Sequence, residues 1–125
     1  MRDHMSNILF RGKRIDNGKW VYGEYWTYRG TYRINDPVKE NSYIIDINTR
    51  GQFTGLLDKN GVKIFEGDFL QDEDKAIGIV VFDKGRFVGI FDGRTYCAEL
   101  YRDARESQVI GNIHYNPELL TEGNR

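Results

Sequence analysis

Glycine-marked turns at short intervals constrain this chain more than any other feature of its sequence. Asp58-Lys59-Asn60-Gly61 separates two apolar runs, and Asn60-Gly61 predicts the positive φ values of a β-hairpin turn. Further turn signals stand at Asp16-Asn17-Gly18, Arg29-Gly30 and Asp83-Lys84-Gly85. The chain has fourteen glycines and only two prolines, and 14% of its residues are aromatic. This pattern favours short strands joined by turns over helices.

The segments between the turns predict a mainly β protein. Residues 94–107 combine helical and strand spacing, and we prefer a strand to about Tyr101 followed by a polar loop. Residues 116–120 predict a short C-terminal helical turn, with Asn116 as its N-cap and Pro117 at its first position. The other strands are expected at residues 8–14, 19–28, 31–34, 43–47, 77–82, 86–91 and 109–115, with a hairpin within residues 53–68.

A length of 125 residues fits one domain. We expect residues 8–125 to form a single hairpin-rich unit of two β halves, 8–50 and 51–120. Residues 1–7 contain two methionines and no apolar pattern, so we interpret them as a leader or cloning remnant. The motif Phe10-x-Gly12 before one turn is echoed by Phe53-x-Gly55 before another, which indicates either a duplication or convergence on the same turn chemistry.

Composition limits the location and the partners of the chain. No apolar run approaches the roughly 20 residues of a membrane span, and no signal peptide is visible at the start. The single cysteine, Cys97, excludes an internal disulfide and fits a reducing cytoplasm. Residues 1–35 carry seven Lys/Arg against three Asp/Glu, whereas residues 36–125 carry eleven against sixteen. This asymmetry would steer a polyanion or a second copy of the chain, or it is an ordinary patchy surface.

Catalytic and metal-binding patterns are weak. The histidines are His4 and His114, and no Cys/His pair has ligand spacing, so we predict neither a metal site nor a cofactor. Glu66 and Asp68 would point to the same side of a strand, where paired carboxylates can serve acid–base chemistry or a metal-dependent hydrolase. Aspartate and glycine also build ordinary turns, so this hydrolase is the least favoured hypothesis, and we predict no enzyme activity.

A basic and aromatic stretch near the start is the best candidate for a binding surface. Even-numbered residues of the strand 19–28 share one face, which gathers its tryptophans. Single-stranded nucleic acids bind surfaces where rings alternate with cations. Because aromatic side chains also dominate β cores, we favour core packing, with nucleic acid as the leading alternative. The candidate binding residues are Arg11, Lys13, Trp20, Tyr22, Trp26, Tyr28 and Arg33.

Four stretches together resemble the YopX family of small phage and prophage proteins. They are Ile8-Leu9-Phe10-Arg11-Gly12-Lys13, Asn17-Gly18-x-Trp20-Val21-Tyr22-Gly23, the segment from Gln52 to Asp68, and Val109-Ile110-Gly111-Asn112-Ile113 with Asn116-Pro117-Glu118-Leu119-Leu120. The resemblance runs from about residue 8 to residue 120. It implies a cytoplasmic protein encoded by a phage or prophage, with an SH3-like barrel in its C-terminal half. It transfers no catalytic residues.

These observations favour a non-enzymatic protein-binding or assembly module whose partner is an unknown protein or a second copy of the chain. The main alternative is a small β-barrel that binds single-stranded nucleic acid. We expect no membrane partner. An exposed apolar patch around Trp20, Trp26 and Tyr28 would support protein binding. A continuous positive face containing Arg11, Lys13 and Arg33 would support nucleic-acid binding.

Overall fold

The structure, a computed structural model, describes residues 8–91 and 97–119. The predicted leader at residues 1–7 lies outside this part of the chain, as do residues 94–96 of the ambiguous segment and residue 120 of the predicted C-terminal turn. The chain is mainly β, as predicted. In order, the described elements are β1 (Phe10–Arg14), β2 (Trp20–Tyr28), β3 (Thr31–Asp36), β4 (Asn41–Leu57), β5 (Lys63–Phe65), β6 (Asp68–Gln71), β7 (Ile77–Asp83), β8 (Arg86–Phe91), β9 (Cys97–Glu99), α1 (Leu100–Asp103), a 3₁₀ turn (Ala104–Glu106) and β10 (Gln108–Asn112).

The chain divides into two compact units, Met1–Phe53 and Thr54–Arg125, and the division falls inside β4. The prediction of a single domain with halves 8–50 and 51–120 stays a prediction. No helix within the described residues has the length and apolar character needed to cross a membrane.

Strand β1 closes the sheet of the first unit. It pairs antiparallel with β2 along one edge and with β4 along the other, and β3 lies between β2 and β4. The four strands therefore form a small closed barrel. Opposite Gly12 the register jumps, because Arg11 pairs with Gly51 while Lys13 pairs with Asp46. The Oγ1 atom of Thr49 accepts the Lys13 amide at 2.8 Å and so holds this bulge against β1.

The interior of this barrel is narrow. Glycine is required where strands approach closely, because a Cβ atom on Gly12 would lie 2.6 Å from Cδ1 of Ile45. A Cβ atom on Gly23 would overlap the backbone carbonyl oxygen of Asn35. Only modest side chains therefore fit inside. The buried core consists of Val21, Ile34 and Ile45, with Phe10, Tyr25 and Tyr43 partly buried against it.

The second unit contains an antiparallel sheet in the order β10-β6-β7-β8-β9, and β5 pairs with the end of β4. The β7–β8 hairpin turns through Lys84 and Gly85, which both have positive φ values, as a two-residue type I′ turn requires. The SH3-like character predicted for this half stays a prediction. The apolar core consists of Ile64, Leu70, Val80, Phe91, Leu100 and Ala104, with Leu56, Ala76, Phe87 and Val109 packed against it.

The hairpin predicted at residues 58–61 is present, but its turn differs from the prediction. Gly61 has a φ of +81°, whereas Asn60 does not have a positive φ, so the turn is not an Asn-Gly type I′ turn. Instead, Oδ1 of Asp58 accepts the amides of Asn60 and Val62, at 2.8 and 2.9 Å. Its Oδ2 accepts the amide of Val109 at 2.8 Å. One buried carboxylate therefore shapes the turn and connects it to β10.

A second turn has the same backbone design. Asp72 Oδ1 accepts the amides of Asp74 and Ala76, both at 2.9 Å, and Lys75 occupies the positive-φ position that Gly61 occupies in the first turn. The sequence echo between residues 10–23 and 53–67 is therefore not the geometric repeat. The turns at 58–61 and 72–75 are the matching pair, and they differ in the additional bond to Val109.

Two expectations near the C-terminus are wrong. The strand predicted to about Tyr101 ends at Glu99, and the expected polar loop is helical, because Leu100 and Ala104 turn their side chains into the core. The predicted strand 109–115 ends at Asn112. The short helical turn after residue 116 is present, but the Asn116 side chain accepts the Asn112 amide at 3.2 Å, a bond outside that turn.

We expect Gly23→Ala to lower the free energy of unfolding by at least about 2 kcal/mol, because the new methyl group overlaps a backbone carbonyl that cannot move without opening the barrel. Urea titration followed by tryptophan fluorescence measures this loss. The matched control is Gly18→Ala, where φ is +72° but no atom lies within 4 Å. That change should cost about 1 kcal/mol from backbone strain alone. Equal losses in the two variants would contradict the close-approach argument.

Burial acts to raise the pKa of Asp58, but the Val109, Val62 and Asn60 amides outweigh it and hold that pKa below its usual 3.8. The stabilisation is therefore complete above pH 3.8 and is lost as the pH falls below that value. We expect Asp58→Asn to cost about 2 kcal/mol at pH 7, because the amide group would face the Val109 N–H.

The same urea titration at pH 7 and pH 3 checks this pH dependence, since the gap between wild type and Asp58→Asn should narrow in acid. Asp72→Asn is the control, because both side-chain bonds of Asp72 use Oδ1, which asparagine retains. A gap that stays constant with pH would contradict the role of the ionised carboxylate.

Candidate functional site

The β2–β3 hairpin of the first unit carries an exposed surface. Its tip is the Arg29-Gly30 turn, where both residues have positive φ values, so the strands are joined by a two-residue type I′ turn. This turn fixes the register in which Tyr28 pairs with Thr31 and Trp26 pairs with Arg33. Paired residues on neighbouring strands point to the same face. Trp26, Tyr28 and Arg33 therefore share the outer face of the barrel.

Direct contacts order these side chains. The rings of Trp26 and Tyr28 lie 5.7 Å apart between centroids, and the guanidinium carbons of Arg29 and Arg33 lie 5.3 and 6.0 Å from the Tyr28 ring centroid. The Trp26 indole donates to Oδ1 of Asn35 at 2.7 Å. Rings and guanidinium groups at these distances attract one another. We call Trp26, Tyr28, Arg29 and Arg33 the hairpin face.

The hairpin face is accessible and positively charged. Trp26 is 37% exposed and Tyr28 is 48% exposed, although both have large apolar surfaces. Residues 25–34 contain two arginines and no aspartate or glutamate. Within the described residues, neither Arg29 nor Arg33 forms an ion pair. The arrangement combines stacking surfaces with unneutralised guanidinium groups, which suits recognition of an apolar or anionic partner.

The remaining predicted site residues form a second group at the other end of β2. Arg11 pairs with Tyr22 and Lys13 with Trp20 across the β1–β2 ladder. The Arg11 guanidinium carbon lies 4.7 Å from the Trp20 ring centroid, and Lys13 Nζ lies 5.7 Å from it. Arg11 is buried beneath this ring, so its charge contributes less to the surface than the sequence suggested. Tyr22 is exposed.

The structure corrects the expectation that the aromatic side chains of the basic and aromatic stretch pack in the core. Core packing holds for Tyr25, but Tyr22, Trp26 and Tyr28 lie outside, because the narrow barrel takes only the odd-numbered face of β2. The seven candidates also do not form one continuous face. Glu24 lies on the same face of β2, between the Trp20 group and the hairpin face.

Sequence reasoning missed two polar members of this surface. Asn35 accepts the Trp26 indole N–H, and Ser42 on β4 lies 3.4 Å from Nη1 of Arg33. The position of Asn35 could have been inferred from the Arg29-Gly30 turn. A two-residue turn places residues 28 and 31 opposite each other, and therefore places Asn35 opposite Glu24 and close to Trp26. The partner of Arg33 on β4 required the long-range pairing of β3 with β4.

Described residues of the first unit line two surface cavities. One, of about 610 Å³, is lined in part by the carboxylate residues Glu24, Asp36 and Glu40. The other, of about 480 Å³, lies beside the second group and is lined in part by Trp20 and Tyr22. The first cavity therefore adjoins Glu24, at the acidic part of the outer face of β2, whereas the second adjoins aromatic and basic residues.

The structure contradicts the geometry assumed by the paired-carboxylate hypothesis, in which Glu66 and Asp68 lie on the same strand. Glu66 belongs to the turn between β5 and β6, and Asp68 begins β6, so the two residues do not lie on one strand. Asp68 is only 2% exposed, and its Oδ2 accepts the Phe65 amide at 2.8 Å. In the part of the chain that the structure describes, no group of three or more His, Cys, Asp or Glu residues is placed to hold a metal ion.

The fold defines a class of small, mainly β proteins that contain a closed barrel, and comparison with known proteins gives the family. Residues 9–121 match the family described as YopX protein, so the chain belongs to the YopX family, as its motifs predicted. The crystal structure of protein EF1440 from Enterococcus faecalis is similar, with 26% sequence identity and a TM-score of 0.58. The alignment covers 90% of this chain and 97% of that one. Comparison with curated proteins gave no match.

Proposed function

We propose that the chain is a non-enzymatic binding or assembly module that engages a partner protein through the hairpin face. The observation that carries the proposal is the exposure of Trp26 and Tyr28 beside two arginines that lack ion-pair partners in the described residues. Tryptophan, tyrosine and arginine are the residues most enriched among binding hot spots. In keeping with its family, we place the protein in a bacterial cytoplasm, encoded by a phage or prophage.

Protein binding accounts for the layout better than nucleic-acid binding does. A strand of nucleic acid would need cations along its whole path, whereas Glu24 interrupts the outer face and Arg11 is buried beneath Trp20. A protein partner needs only a compact patch in which rings become buried and guanidinium groups find acceptors. The hairpin face has that size and composition.

We expect Trp26→Ala and Tyr28→Ala to reduce capture of a specific host or phage protein by at least about tenfold, because buried aromatic anchors typically contribute 2 kcal/mol or more. The tagged protein is cross-linked in induced host cells, and captured proteins are quantified by mass spectrometry. The control is Tyr32→Ala in the same hairpin: Tyr32 is 41% exposed but pairs with Thr27 on the opposite face. Unchanged capture by the Trp26→Ala/Tyr28→Ala double variant would overturn the proposal.

Single-stranded nucleic acid is the second candidate partner. The absence of carboxylates from residues 25–34, next to the paired rings of Trp26 and Tyr28, is the observation in its favour. We expect anisotropy of a fluorescent oligonucleotide to reveal binding that weakens steeply as salt rises, and Trp26→Ala to weaken it further. The Tyr32→Ala variant again serves as the control. No binding at low salt would remove this candidate.

A further inference from the structure

On the outer face of the β2–β3 hairpin, which includes Glu24 as well as the hairpin face, opposite charges lie at the two ends. In its second half, β2 carries Glu24, Trp26 and Tyr28 on the outer face, and the turn that follows carries Arg29. Trp26 lies beside Arg33 on β3. The face therefore runs from a carboxylate, across two aromatic rings, to a pair of guanidinium groups. A surface with opposite charges at its two ends is complementary to a second copy of itself that is turned end for end.

The acidic end extends beyond Glu24. The cavity of about 610 Å³ at this end includes Glu24, Asp36 and Glu40 in its lining, and its described lining contains neither lysine nor arginine. Asp36 is occupied with local structure, because its Oδ1 accepts the amides of Val38 and Lys39. Glu24 and Glu40 are both exposed. These two carboxylates are therefore the acceptors that the acidic end offers to an approaching cation.

We propose that a second copy of this chain docks on the outer face of the β2–β3 hairpin, with the two copies related by a two-fold axis. This inference rests on the proposed function and names its partner. The axis lies in the plane of the contact, perpendicular to the strands, and crosses β2 and β3 midway between the Glu24–Asn35 and Trp26–Arg33 pairs. Rotation about it places Arg33 of each protomer over Asn35 of the other, beside Glu24, the cross-strand neighbour of Asn35. It also carries each Arg29-Gly30 turn towards the other protomer's 36–40 loop, which contains Glu40.

Charge complementarity favours a second copy over other occupants of this face. In an isologous contact every pair occurs twice, so Arg33–Glu24 and Arg29–Glu40 give four ion pairs from one small surface. The aromatic side chains of Trp26 and Tyr28 would be covered in the same step, which removes apolar surface from water. The face spans only about 13 Å from Glu24 to Tyr28, at about 3.3 Å per residue, so the expected dimer is weak and sensitive to salt.

Reciprocal charge reversal tests this arrangement. Arg33→Glu places carboxylates on both sides of each Arg33–Glu24 contact and Glu24→Arg places cations on both sides, so each variant alone should dimerise at least about tenfold more weakly than wild type. An equimolar mixture of the two variants restores both ion pairs and should associate again. Sedimentation velocity over a concentration series to about 1 mM, at low and high salt, measures each species. The control is Arg50→Glu, since Arg50 contacts Tyr25 and Phe10 instead of the outer face.

The outcomes separate this inference from the proposed function. Weakened single variants with rescue on mixing would establish the two-fold contact, and circular dichroism of each variant shows whether it is folded. A wild-type protein that stays monomeric at low salt, or association that Arg33→Glu does not change, would overturn the contact. In that case, loss of a captured host protein in Trp26→Ala would still support the binding module. Salt-dependent oligonucleotide binding by a monomer would instead favour the nucleic-acid candidate.

Discussion

Strand β1 hydrogen-bonds along both of its edges, and the arrangement of the first unit depends on this closure. Once β1 joins β2 to β4, the interior has room only for a few side chains centred on Val21, Ile34 and Ile45. Glycine is required at positions 12 and 23 because the strands approach each other so closely there. Apart from Tyr25, which packs partly against this core, the remaining large side chains of β2 must then lie outside it. The exposed tryptophan and tyrosine side chains are therefore a direct consequence of a barrel too narrow to contain them.

The Arg29-Gly30 turn fixes how these exposed aromatic side chains are arranged on the surface. A two-residue turn leaves no freedom in the register, so Trp26 and Arg33 are neighbours and Tyr28 lies next to the turn. A one-residue slip would move Arg33 to the core face and Ile34 to solvent, which the buried position of Ile34 excludes. The same core residue that stabilises the barrel thus fixes the composition of the hairpin face.

The sequence predicted β1, β2 and β3 and the two faces of β2, because alternation and glycine turns are local signals. The strand predicted at 43–47 was too short, because β4 continues through residues 48–57 to Leu57. It did not predict which face is buried, since both carry large residues and closure depends on pairing between residues about forty positions apart. The match between the 58–61 and 72–75 turns was hidden because Lys75 takes the position that glycine takes in the first turn. Residues 100–106 were misassigned because Leu100 and Ala104 suit either a helix or a strand until the core is known.

A structural explanation for Trp26 and Tyr28 competes with a binding role, and magnitudes distinguish the two. Aromatic residues favour strands, and neighbouring rings on one face contribute about 0.2–1 kcal/mol to a sheet. Both rings lie outside the core, so their loss creates no cavity; truncation of Tyr28 should cost about that amount, and truncation of Trp26 also removes its hydrogen bond to Asn35. Anchors at a protein interface contribute about 2 kcal/mol or more. A loss of association on truncating either ring that exceeds the loss of folding free energy would therefore indicate a binding role for that ring.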